Sequence, residues 1–205
     1  MRLPIAKRLT VDIWLVSLGG RDSYEWTFRL ITLLGHVLHR TDIWKAHTHL
    51  RLLTYGLTQS ETHEECEAIR KFLYECRLSA RVVGIALDQV LVPSVSDQSE
   101  MDPGSASEKE LDAIRAMTHS GLAAASSLNK CRVATYLFRT YSPPTHCALA
   151  IIPLPPMTAL DSPGAGWLQT ICSITQGLPP VLMVQAAEPV LLEGTLDNCE
   201  HLSPA

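Results

Sequence analysis

Five apolar runs recur along the chain: Thr10–Leu18, His49–Tyr55, Ala80–Leu87, Ala148–Leu154 and Val181–Gln185. Their apolar residues are largely continuous instead of alternating with polar ones. A strand with one face in water alternates, whereas a strand covered on both faces does not. The runs therefore predict a sheet packed on both sides.

Between them lie segments with a helical period. Tyr24, Phe28, Ile31, Leu34 and Leu38 recur every three or four residues and predict a helix over 23–39. Asp22 and Glu25 give it a capping box. Cys66, Ile69, Phe72, Leu73 and Cys76 stripe a second helix, with Thr62 and Glu65 as its cap. Ser107 and Glu110 cap a short helix through about Met117. A better-defined helix covers Ser126–Tyr141, with Leu128, Cys131, Ala134, Leu137, Phe138 and Tyr141 aligned, and Pro143-Pro144 stops it. Trp167, Leu168, Ile171 and Ile174 mark the last helix, closed by Gly177, with Pro179-Pro180 just beyond. Alternating strands and helices imply an α/β fold: a doubly wound, mainly parallel five-stranded sheet with right-handed crossovers.

A chain of 205 residues fits a single domain. Its expected extent is 8–192, with a flexible insert at about 93–107 rich in Pro, Gly, Ser and acidic residues, and a disordered tail at 193–205. A net charge of −4 argues against a nucleic-acid surface spread over the protein. The longest apolar runs are far below the roughly 20 residues of a membrane-spanning helix. Met1–Arg8 is basic but has no apolar signal core, and no N-x-S/T acceptor occurs. The six cysteines form no C-x-x-C pair and read as reduced, buried thiols, so a cytosolic setting is expected.

Gly19-Gly20 stands at the first strand-to-helix turn, where doubly wound folds bind ligands. A nucleotide phosphate there would involve Gly19, Gly20 and Ser23. No G-x-G-x-x-G or G-x-x-x-x-G-K-[ST] accompanies them, Asp22 and Glu25 would repel phosphate, and two glycines also simply make a tight turn. His47 and His49, two apart on an extended segment, could reach one zinc ion, as could His63 with Cys66; ordinary surface histidines explain both pairs as well. Asp12 in an apolar strand is either a buried carboxylate with a shifted pKa or an acceptor of hydrogen bonds from a neighbouring turn. No nucleophile elbow or H-E-x-x-H motif occurs, and no enzymatic activity is expected. Ser94, Ser96, Ser99, Ser105 and Ser107 crowd the insert beside Glu100, Asp102 and Glu108. They are candidate regulatory phosphorylation sites, the alternative being an unmodified solvated linker.

Several of these residues together resemble one family. Thr10-Val-Asp-Ile-Trp14 followed by Gly19-Gly20 and an apolar helix, then Trp44 and His49-Leu-Arg-Leu-Leu-Thr-Tyr55, is similar to the start of the cytoplasmic C-terminal domain of cation–chloride cotransporters, solute carrier family 12. Ala148-Leu-Ala-Ile-Ile-Pro-Leu-Pro-Pro156, then Trp167-Leu-Gln and Gly177-Leu-Pro-Pro-Val-Leu-Met-Val184, resembles its end. Leu-Pro-Pro and the following Ala-Glu-Pro-Val190 are most like the cotransporter-interacting-protein branch. The likeness covers about residues 8–192. It departs at Ser17-Leu18, where the family usually carries an acidic pair before Gly-Gly.

The resemblance implies a non-catalytic regulatory domain with a universal-stress-protein-like fold. It implies a homodimer, or a heterodimer with another cotransporter, and inserts phosphorylated by regulatory kinases. The parent would be an electroneutral symporter of chloride with potassium or sodium, and membrane contact would come only through its transmembrane domain. Some members hold a nucleotide near the first strand, which would place ATP at Gly19, Gly20 and Ser23. An exposed face of the helix at 126–141 is a candidate isologous contact. The alternative reading is a stand-alone nucleotide-binding protein of the universal-stress type.

Overall fold

The computed structural model describes residues 8–18, 24–90, 108–121, 124–155 and 165–186. Its sheet has five strands: β1 (Leu9–Trp14), β2 (Thr48–Gly56), β3 (Arg81–Ala86), β4 (Cys147–Pro153) and β5 (Val181–Val184). Their order is β3-β2-β1-β4-β5, and every pairing is parallel. Strand β1 takes the centre. Asp12 lies opposite Arg51 on one side and Ala150 on the other.

Two helical layers cover the sheet. On one face lie α1 (Tyr24–Arg40) and α3 (Gln59–Glu75), which follow β1 and β2. On the other lie α5 (Glu108–Ser120), α6 (Ser127–Tyr141) and α7 (Ala165–Thr175). Two short helices, α2 (Asp42–His47) and α4 (Leu87–Val90), complete the described set. The two-residue period of β1 sorts its side chains. Val11, Ile13 and Leu15 enter the first layer with Ile31, Ile69 and Leu73. Trp14 and Val16 enter the second with Ile114, Met117, Leu137 and Phe138. All of these are buried, and the Trp14 and Phe138 rings meet at 4.7 Å between centroids. Such a doubly wound arrangement is what continuously apolar strands require.

Glycine sets the approach of two helices. A Cβ on Gly35 would run into the Ile13 side chain, so the missing methyl lets α1 lie close on β1. A Cβ on Gly56 would stand 2.7 Å from Thr62 Oγ1 and 2.8 Å from the Thr62 nitrogen, so the first turn of α3 closes directly on β2.

Several boundaries differ from expectation. β1 leaves the ladder after Trp14, and Leu15–Leu18 continues as a largely buried segment, held at first by Leu15 N–H donating to the Leu53 carbonyl at 2.8 Å. The N-cap of α3 is Thr58, not Thr62: Thr58 Oγ1 accepts from Glu61 N–H at 3.3 Å, and Glu61 Oε2 accepts from Leu57 N–H at 3.0 Å. Thr62 is buried one turn later and donates to the Thr58 carbonyl at 2.7 Å. Leu128 is exposed, while Val133 and Thr135 join the buried side of α6. Helix α2 was not anticipated; it buries none of its residues, so it leaves no apolar stripe to read. Gly177 has φ +80°, as its place after α7 requires. The insert at 93–107 and the tail at 193–205 lie outside the described residues. Among those described, no helix is long and apolar enough to cross a membrane.

Candidate functional site

The polar centre of the sheet is Asp12, which has no exposed surface. Its register opposite Arg51 makes the contact inevitable: both residues point to the same face of adjacent parallel strands. Arg51 Nε donates to Oδ1 at 2.8 Å and Nη2 donates to Oδ2 at 2.6 Å, a bidentate pair. Ser142 Oγ, at the C-cap of α6, donates to Oδ2 at 2.6 Å and accepts from Trp14 Nε1 at 2.9 Å. Arg51 Nη2 also donates to the Tyr141 carbonyl at 2.8 Å. Of the two readings of Asp12, the structure selects the acceptor. Its carboxylate is filled by three donors, and the chain Trp14–Ser142–Asp12–Arg51–Tyr141 ties β1, β2 and the end of α6 together.

Two thiols stand near this network or in the same layer. Burial pushes the Cys147 thiol up to about 12, with a further upward contribution from the nearby Asp12 carboxylate. Burial alone pushes Cys131 up to about 11. Both are therefore neutral, inert thiols at ordinary pH. The hydrogen bonds it donates to Asp12 raise the Arg51 pKa against the cost of its partial burial.

At the carboxyl ends of β1 and β2 a cleft of about 570 Å³ opens. Leu15–Ser17 forms one wall and Thr54–Leu57 the other, with Glu61 and Glu65 of α3 and the Ser120-Gly121 end of α5 at its rim. Thr54 Oγ1 donates to the Leu15 carbonyl at 3.1 Å and fixes the floor. Gly121, at φ +83°, ends α5 in the left-handed conformation and donates its N–H to the Met117 carbonyl at 3.0 Å. Glu61 is engaged by the N–H of Leu57. The cleft offers hydroxyls, backbone groups and two carboxylates on an apolar floor. That chemistry suits a neutral or cationic ligand and repels phosphate.

The residues singled out from the sequence are dispersed. Gly19, Gly20 and Ser23 lie outside the described residues, as do Ser94, Ser96, Ser99, Ser105 and Ser107. His47 ends α2 while His49 lies in β2, so the two do not share the extended segment the zinc reading needs. His63 is exposed on α3 and Cys66 is buried. Among the described residues, no three His, Cys, Asp or Glu side chains converge as a metal site. Helix α6 buries Cys131, Val133, Ala134, Thr135, Leu137 and Phe138 and packs on both α5 and α7, so much of its surface is used within the chain. The cleft residues Thr54, Glu61 and Glu65 were not foreseen, because they come together only when α3 is closed on β2. No family model matches the chain, and no curated protein matches it.

Proposed function

We propose that the chain is the cytoplasmic C-terminal regulatory and dimerisation domain of a cation–chloride cotransporter, and that it carries no transport or catalytic step itself. One observation carries this reading. Four stretches that resemble the family, Thr10–Trp14, His49–Tyr55, Ala148–Leu154 and Val181–Val184, are far apart in sequence yet fall on β1, β2, β4 and β5, neighbours in one parallel sheet. Motifs that share one parallel sheet are constrained together by packing, and this placement supports the reading. A universal-stress-like domain of this kind would act by binding, as a homodimer or with another cotransporter, under kinases acting on the serines at 94–107. Sedimentation equilibrium over a range of protein concentration tests it. Reversible dimerisation is expected; a strict monomer at the highest concentration would overturn it.

A second reading, a stand-alone nucleotide-binding protein, is favoured by the cleft beside Ser17, at the strand ends where doubly wound sheets place ligands. Its acidic rim opposes it. Saturating ATP should raise the melting temperature if that reading holds, and a zero shift removes it.

A further inference from the structure

The opposite edge of the sheet carries a different chemistry. A cavity of about 330 Å³ opens at the amino ends of β1, β2 and β3, lined by His39, His49, Arg51, Ser79 and Arg81, with Thr10 beside them. Four of these side chains can carry positive charge, and among the described residues no carboxylate lines the cavity. The register explains their assembly. Asp12 stands opposite Arg51, and Arg51 stands opposite Arg81, so the three form one row across β1, β2 and β3. They share a face, since neighbouring parallel strands keep in-register side chains on the same side, about 4.8 Å apart.

The row holds two guanidiniums and one carboxylate. Asp12 is filled by Arg51 and Ser142 and cannot serve Arg81. Among the described residues, Arg81 makes no ion pair or hydrogen bond, and the same is true of His49 and of Arg51 Nη1. Like charges directly opposite on neighbouring strands repel. Among the described residues the row is therefore one negative charge short, and the shortfall lies where Arg51 and Arg81 line the cavity. Helices α1 and α3 both end near this edge, and their carboxyl ends are weakly negative. Full side-chain charges outweigh those fractional ones.

We propose that this cavity binds a phosphate-class oxyanion, either a soluble phosphate ester or the phosphorylated headgroup of a lipid. Arg81 and the free Nη1 of Arg51 would pair with the oxygens, His49 and Ser79 would donate hydrogen bonds, and His39, whose Nε2 lies 3.3 Å from the Thr48 carbonyl oxygen, would form the wall. The volume lies near the small end of the roughly 300–1,000 Å³ range of ligand sites, which suits a single phosphate group. The site rests on the sheet register and on the end of α1, and it stands whether or not the chain belongs to a transporter.

The test is calorimetric titration of the whole chain with inorganic phosphate at low ionic strength, alongside flotation with phosphatidylcholine vesicles with and without phosphatidylinositol 4-phosphate. Saturable binding is expected. Binding of free phosphate but not of the phosphoinositide vesicles assigns the soluble source, and the reverse assigns the headgroup. Arg81→Gln and His49→Gln, both on exposed side chains and checked for folding by circular dichroism, should each weaken binding, Arg81→Gln by about tenfold, as expected for one charge-assisted pair. Lys71→Gln, which removes the same charge from the exposed face of α3, should leave it unchanged. No saturable binding in either arm, or equal weakening by Arg81→Gln and Lys71→Gln, would overturn the proposal.

Discussion

Arg51→Met is the most informative single perturbation of the fold. It removes both Arg51 hydrogen bonds to Asp12, at 2.8 and 2.6 Å, and the one to the Tyr141 carbonyl. Asp12, with no exposed surface, keeps only Ser142 as a donor. A buried charge left without its partner costs about 3–5 kcal/mol. Because the Arg51 side chain is 21% exposed, water can follow into the vacated space, which places the loss near 3 kcal/mol, the lower end of that range. At about 2–4 °C per kcal/mol for a chain of this size, the melting temperature falls by roughly 6–12 °C. The double variant Asp12→Leu with Arg51→Met removes the stranded charge and should recover part of the loss, since apolar replacement of a buried pair is often close to neutral. Urea unfolding followed by circular dichroism measures all four corners of the cycle. If the single losses add to within about 0.5 kcal/mol, the two residues are not coupled and the clamp described here is wrong.

Further perturbations probe separate parts of the account. In native protein, iodoacetamide should modify the exposed Cys172 and spare Cys131 and Cys147, whose thiols are buried and shifted upward; peptide mapping that finds Cys147 alkylated before unfolding would contradict this. Gly56→Ala drives a methyl into Thr62 and should cost about 1–3 kcal/mol by overpacking, read as a lower urea midpoint, whereas an unchanged midpoint would mean that α3 sits further from β2. Thr58→Ala should cost about 1 kcal/mol through loss of the α3 cap, and Thr62→Ser, which keeps the hydroxyl, should not imitate it. Burial, then the charges of Arg40 and His39, lower the His36 pKa, so the unfolded chain binds that proton more tightly. Its contribution to stability is full above pH of about 6.5 and is lost as pH falls towards the lowered native value. His36→Gln should flatten the decline in melting temperature between about pH 7 and pH 5, and an unaltered slope would rule His36 out.

The layered fold was legible because its cause is local. Strands buried on both faces must be continuously apolar, and that pattern is written in Thr10–Leu18 and Ala148–Leu154 without reference to any partner. Helix ends were legible less often. Thr58-Gln-Ser-Glu61 and Thr62-His-Glu-Glu65 are equal cap patterns, and only the closure of Thr62 on Gly56 and Gly84 decides between them. Helix α2 escaped because it buries nothing. The Asp12–Arg51 pair had a readable sign, opposite charges at the middle of two apolar strands, but pairing them requires the register. Both cavities depend on residues from separate strands and helices, so no spacing along the chain announces them.

Sequencing of full-length transcripts carrying this reading frame tests most directly whether the chain is the regulatory domain of a membrane cotransporter. If it is, the frame continues upstream through a series of apolar segments of about 20 residues each, the length of membrane-spanning helices. Transcripts that all close the frame upstream without such segments would contradict it.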